Sequence, residues 1–182
     1  MHLTDDDKQL LLGLARIAIE RAVHGQSPPE IPRHSESLDL PCGAFVTLTE
    51  QGDLRGCIGY IEGVLPLIET VRDVAPRSAL EDPRFAPVEP EDISDLEIEI
   101  SALSPLKEIS DLNEIVVGTH GIVMQQGYCK GLLLPQVATE YHWDRDTFLR
   151  QTAKKAGLPP DAWKNPQTKI SIFSADVFHE QK

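Results

Sequence analysis

The chain has 182 residues, with 17 Lys and Arg against 29 Asp and Glu and a formal net charge of −12. That length suits one domain, or one unit made of two small lobes, and is enough to bury a core. Apolar residues make up 41% and charged residues 25%, which excludes disorder as the whole account; the acidic balance disfavours a general nucleic-acid binder, because affinity for a phosphate backbone needs a basic surface.

Thr4 and Asp7 have the spacing of an N-cap and an acidic N3 residue, so a helix is predicted from there to about His24. Asp5, Asp6 and Asp7 then sit in its first turn, where the helix dipole favours negative charge. Leu10, Leu14, Ile17 and Ala18 are expected on its apolar face, and Arg16, Glu20 and His24 on a wet one. Gly25 is a natural stop. Residues 26–41 hold four prolines and little periodicity, and read as an ordered loop. A hairpin follows, with strands at 44–49 and 54–61 around a turn at Glu50-Gln51-Gly52-Asp53. Residues 64–81 read as one helix or two short ones, with Leu67, Ile68, Val71 and Val74 inward and a kink or break at Pro76. Asp82 opens a loop. Leu96, Ile98, Ile100 and Ala102 alternate with polar residues, as in a half-buried strand.

Pro105 marks a lobe boundary. Beyond it, Ile115–Val117, Gly121–Gln125 and Lys130–Leu134 suggest a three-stranded meander, and Pro135 opens a short helix through Tyr141. Asp144 is the next N-cap, with Trp143 and Phe148 placed as a hydrophobic staple. That helix ends at Lys154 and Lys155, before Gly157 and Pro159. Its core face is Phe148, Leu149, Thr152, Ala153 and Ala156. Lys169–Phe173 and Val177–Phe178 read as strand. Hairpins and helices mix without regular βαβ units, so the expected class is α+β.

The start of the chain is acidic where a signal peptide would be basic, and no apolar run nears the roughly 20 residues that span a bilayer. Cys42, Cys57 and Cys129 are an odd set without a CxxC pair, which points to free thiols in a reducing compartment. A cytoplasmic protein with no membrane association is expected. The six histidines show no HxxxH, HExxH or zinc spacing, and there is neither a P-loop nor GxGxxG. No metal and no cofactor is therefore expected.

The chemistry is concentrated in Leu54-Arg55-Gly56-Cys57-Ile58-Gly59. In a regular strand Arg55 and Cys57 share one face, and a guanidinium there can stabilise a thiolate. Gly56 and Gly59 are poor strand residues; they suit a bulge, or a place where a backbone or ligand comes close. Cys57 is then a nucleophile or a thiol ligand and Arg55 an anion anchor. On the opposite reading, Cys57 is a small buried hydrophobe and Arg55 an ion-pair partner. His120, between Gly118 and Gly121, is a candidate general base if it meets the thiol, or a turn histidine if it does not. Arg84 in Asp82-Pro83-Arg84-Phe85 can add to a positive pocket, or pair with Asp82 in a turn.

These words resemble the AMMECR1 domain family, which includes protein A of the AmmeMemoRadiSam system. LRGCIG at 54–59 follows AFVTL at 44–48. Other matching words are Pro66-Leu67, DPRF at 82–85, IEIS at 98–101, His120-Gly121, GLLLPQVA at 131–138 and KAGLP at 155–159, all in family order. The resemblance implies a two-lobed α+β fold. The larger lobe would hold 1–104 and 166–182, the smaller would be an insertion of 105–165, and the LRGCIG side chains would face a cleft between them. It also implies partnership with a Memo-like protein and a radical S-adenosylmethionine protein; apart from the resemblance, an unknown small-molecule or protein ligand is expected. It implies no particular reaction. Two departures stand out: Ala153 occupies a position where many relatives carry Cys, and Pro76-Arg77 interrupts a stretch that is usually Ala-rich.

Overall fold

The computed structural model describes residues 3–180 and resolves two compact units. One is built from the chain up to Leu103 and again from Asp176, the other from Ser104–Ala175. Both are α+β. The return to the first unit expected at Pro166 is corrected, since the intervening Lys169–Phe173 strand belongs to the second unit's sheet.

The first unit opens with helix α1, Asp5–Val23. Thr4 and Asp7 form the expected capping box: the Asp7 amide donates to Thr4 Oγ1 at 3.2 Å and the Thr4 amide to Asp7 Oδ2 at 3.0 Å. Asp7 is also buried and accepts hydrogen bonds from Ser35 and Ser37, which tie the proline-rich loop to the helix start. Those bonds, the one from Ser35 foremost, hold its carboxyl below the usual range against the opposing effect of burial. The buried stripe of α1 is Leu11, Leu12, Leu14, Ala15, Ala18 and Ile19. The expected apolar face was off in phase: Leu10 is only partly buried and Ile17 is exposed. Arg16, expected on the wet face, instead pairs with Glu180 and donates to the carbonyls of Ile93 and Leu96 at 2.9 Å each.

Strands β1 (Ala44–Glu50) and β2 (Asp53–Tyr60) form an antiparallel hairpin. Gln51 and Gly52 turn it, with φ of 53° and 89°, the positive angles of a two-residue hairpin turn. Helix α2, Leu67–Leu80, runs unbroken through Pro76. Burial of Val74, Ala75, Ser78 and Ala79 around the proline offsets the lost backbone bond. Strand β3 (Leu96–Leu103) pairs antiparallel with β1. With β8 (Ala175–His179) it completes a sheet of order β2-β1-β3-β8, whose core face packs Ala44, Val46, Leu48, Ile98 and Ile100 with α1 and α2.

The second unit holds β4 (Lys107–Ile109), β5 (Gly121–Gln126), β6 (Cys129–Leu133) and β7 (Lys169–Phe173), in the order β4-β7-β5-β6. Residues 115–117 are not a strand. Asp111 accepts from the Asn113 amide and starts a 3-10 turn at Leu112–Glu114, Gly118 turns back at φ 85°, and β7 takes the place beside β5. Helices α3 (Pro135–Glu140) and α4 (Arg145–Lys155) cover this sheet. Asp144 caps α4 by accepting from Thr147 N at 2.8 Å. Phe148, Leu149, Thr152, Ala153 and Ala156 are all buried.

Candidate functional site

The Arg55–Cys57 segment lies on β2, the edge strand of the first sheet. Near the turn, Glu50 faces Asp53 and Thr49 faces Leu54; beyond it, Leu48 faces Gly56 and Thr47 faces Cys57. Arg55 is therefore the extra residue of a β-bulge. Counting back from the turn without it pairs Cys57 with Val46, which is fully buried in the core. One inserted residue changes the face on which every later side chain emerges. The bulge thus takes Cys57 off the core face and places it opposite the half-buried Thr47.

The expected alternation that set Arg55 beside Cys57 as its anion anchor is broken by this bulge. The Arg55 guanidinium donates to the carbonyls of Ala86 at 2.6 Å and Pro87 at 3.3 Å. Glu50 and Asp92 flank it at 3.8 and 3.6 Å. Two carbonyls and two carboxylates meet its donors and its charge. Its work is to pin the bulge against the loop after α2.

Cys57 has its own set of partners. Thr47 Oγ1 donates to its sulfur at 3.3 Å across the hairpin. Its backbone N–H points off the sheet edge and donates to Asp82 Oδ2 at 2.8 Å. Asp82 is 5% exposed. It also accepts from Arg84: Nε at 3.0 Å and the backbone amide at 3.1 Å reach Oδ1, and Nη2 at 2.7 Å reaches Oδ2. The Arg84 guanidinium holds the Asp82 carboxyl well below the usual carboxylate range, against burial and with help from the Cys57 and Arg84 amides. Asp82 in turn raises Arg84 above its ordinary value. Arg84 itself stays half exposed, stacked over Phe85. A buried carboxylate thus seals one open N–H of an edge strand and fixes a guanidinium beside a thiol.

The two glycines of the motif answer to backbone crowding. A Cβ on Gly56 would stand 2.0 Å from the Ser78 carbonyl oxygen of α2, and one on Gly59 2.3 Å from the Ala44 carbonyl oxygen. Close approach was the expected reason for them, and here it is the protein's own backbone that approaches.

The remaining candidates have partners of their own. His120 belongs to the second unit, where its Nδ1 accepts from the Val116 amide at 3.2 Å and its own amide donates to Val116 O at 2.9 Å. It closes its own turn. Cys42 is buried, which raises its thiol above the ordinary value, and Cys129 is exposed. No group of three or more His, Cys, Asp or Glu able to hold a metal occurs among the described residues, and no helix there is long and apolar enough to cross a membrane. Of the two sequence readings of Arg84, pairing with Asp82 is the one formed, and the bond from the Cys57 amide to Asp82 was missed. Thr47 was also missed, because a regular hairpin places Val46 opposite the thiol.

Comparison with known proteins gives consistent matches. The AMMECR1 family model matches residues 12–178. A protein of Methanothermobacter thermautotrophicus is 42% identical, over 98% of this chain and 96% of its own length. Protein TK0174 of Thermococcus kodakarensis is 40% identical, over 99% and 93%. The crystal structure of the uncharacterized protein PH0010 from Pyrococcus horikoshii is similar with a TM-score of 0.89 at 39% identity, covering 98% of this chain and 94% of that one.

Proposed function

The chain belongs to the AMMECR1 family, and from that premise we propose that it is a cytoplasmic component of an enzyme system with Memo-like and radical S-adenosylmethionine partners, in which Cys57 engages an anionic or carbonyl-bearing substrate. The family resemblance supports the partnership. One observation supports the chemistry: the bulge at Arg55 turns a thiol that would otherwise be core onto the outer face, against a hydroxyl donor and beside a fixed guanidinium. A thiol so placed can add to a carbonyl. The C–S bond forms, the carbonyl π bond opens, and the thiol proton ends on the former carbonyl oxygen. No oxidant, reductant or metal is consumed.

The test is the alkylation rate of each cysteine in the native protein at pH 7, read by peptide mass spectrometry. The exposed Cys129 and the buried Cys42 are internal references. Cys57 should react at least as fast as Cys129, although it is less exposed. If it reacts only on unfolding, the thiol reading fails.

A second reading, an adaptor module in which LRGCIG is structural, is favoured by a separate observation. Arg55, Gly56 and Gly59 each have a packing reason within the protein. On that reading Cys57→Ala leaves function intact. On the thiol reading it costs under about 1 kcal/mol and abolishes function.

A further inference from the structure

Arg84 is held in an unusual way for a surface arginine. Its Nε and Nη2 grip one carboxylate, and that carboxylate is buried and bonded to the Cys57 amide. Asp82 Oδ2 accepts from both Arg84 Nη2 and Cys57 N, so these two nitrogens are no farther apart than two hydrogen bonds of 2.7 and 2.8 Å laid end to end. The guanidinium is planar, and its donors are fixed in direction once one edge is bound. The edge formed by Nη1 and the second hydrogen of Nη2 faces away from Asp82. Nη1 has no hydrogen-bond partner among the described residues, and the side chain is 54% exposed. That second edge is a fork of the shape that binds a carboxylate through two parallel bonds. Arg55 has no comparable edge, since its donors meet two backbone carbonyls and two carboxylates flank it.

We infer that Arg84 is the carboxylate-binding residue of the Cys57 site, and that the substrate is a small acid whose carboxylate lies close to the electrophilic carbon, as in a short oxo acid. This rests on the thiol reading above, and moves the anion contact from Arg55 to Arg84. Asp82 is a positioning residue: it sets the distance between the fork and the thiol and touches no substrate. The class follows from the spacing. Nη2 belongs to both edges of the guanidinium and stands within two hydrogen bonds of the Cys57 amide through Asp82 Oδ2, so one small molecule is to meet both the outer fork and the Cys57 sulfur.

Iodoacetate and iodoacetamide test this directly. Both alkylate a thiolate by the same displacement, in which the C–S bond forms, the C–I bond breaks and iodide leaves; only one carries a carboxylate. The ratio of their rates at Cys57, divided by the same ratio at Cys129, should favour iodoacetate by roughly threefold to tenfold, the range of a half-exposed charge pair. The preference should shrink as salt is raised. Arg84→Gln should abolish it, bringing the ratio at Cys57 down to the ratio at Cys129 whatever the absolute rates become. Since Arg84→Gln strands a buried carboxylate, the double variant Asp82→Asn with Arg84→Gln provides the same comparison without that charge. A Cys57 that alkylates readily but shows no preference, or one that keeps its preference in the Arg84 variants, overturns this inference and leaves the thiol reading intact. A Cys57 inert to both reagents overturns the thiol reading, and this inference with it.

Discussion

The two hairpins, β1–β2 in the first unit and β5–β6 in the second, are built alike and end differently. Each carries a glycine in its second strand that lets a helix come close. A Cβ on Gly56 would meet the Ser78 carbonyl oxygen at 2.0 Å, and one on Gly131 the Ala156 nitrogen at 2.5 Å. The second hairpin keeps one register throughout, from Gln126 opposite Cys129 to Ile122 opposite Leu133. The first shifts by one at Arg55. In the regular hairpin the residue after the glycine is Leu132, opposite the buried Val123. In the bulged hairpin it is Cys57, opposite Thr47, with its amide on Asp82. One extra residue therefore goes with the difference between a hairpin whose glycine is followed by a leucine against Val123 and one whose glycine is followed by a thiol against Thr47.

The largest effects should come from the shared device. Gly56→Ala and Gly131→Ala each force a methyl into backbone, and each should cost about 3 kcal/mol in urea unfolding, Gly56→Ala the more because its contact is shorter. If either change is neutral, the helices do not depend on these glycines for their approach.

Next comes the anchor that only the bulged hairpin has. Arg84→Met leaves the Asp82 carboxylate buried without its counter-charge. It should cost about 2 kcal/mol, below the full range for a buried pair because the guanidinium is half exposed. Adding Asp82→Asn should recover part of that loss, and strict additivity of the two changes would mean that the pair is not coupled.

The same pair predicts a pH dependence. The folded-state pKa of Asp82 lies below its ordinary value of 3.8, so its stabilisation is complete above that value and is lost as the pH falls below it. Asp7 is shifted in the same direction and adds to the effect. The urea midpoint of the native chain should therefore fall steeply on acidification below about pH 4. Asp82→Asn should make that limb shallower, and an unchanged limb would place the acid sensitivity elsewhere.

The smallest effect is expected at Thr47. Thr47→Val keeps the shape and removes the donor to the Cys57 sulfur. Its stability cost should be under about 1 kcal/mol, the size of a single neutral hydrogen bond. The readout that matters is the rate of Cys57 alkylation at pH 7, which should change in this variant and stay put if the hydroxyl has no influence on the thiol.

Much of the fold is legible in the sequence. The Thr4 and Asp144 caps, the inward residues of α2, the core face of α4, the β1–β2 hairpin and the alternation of β3 all follow from local chemistry and periodicity. These signals depend on residues within a turn or two of one another, and a linear pattern carries them. The Asp82–Arg84 pair was legible for the same reason, being two residues apart.

What stayed hidden required chain segments far apart in sequence to meet. Residues 115–117 have the composition of a strand, yet β7, some fifty residues later, takes the position beside β5. Arg16 lies where α1 should be wet, yet Glu180 and the carbonyls of Ile93 and Leu96 come to it from across the unit. The motif at 54–59 drew attention to Cys57 by its residue types alone. Whether that thiol faced the core or the outside turned on a one-residue register shift, and the shift is held by Arg55 bonding to Ala86 and Pro87 some thirty positions away. Composition and local pattern determined the class, the elements and the suspect residue. Tertiary hydrogen bonds decided which face that residue occupies and which arginine stands beside it, because register is a property of paired strands and not of either strand alone.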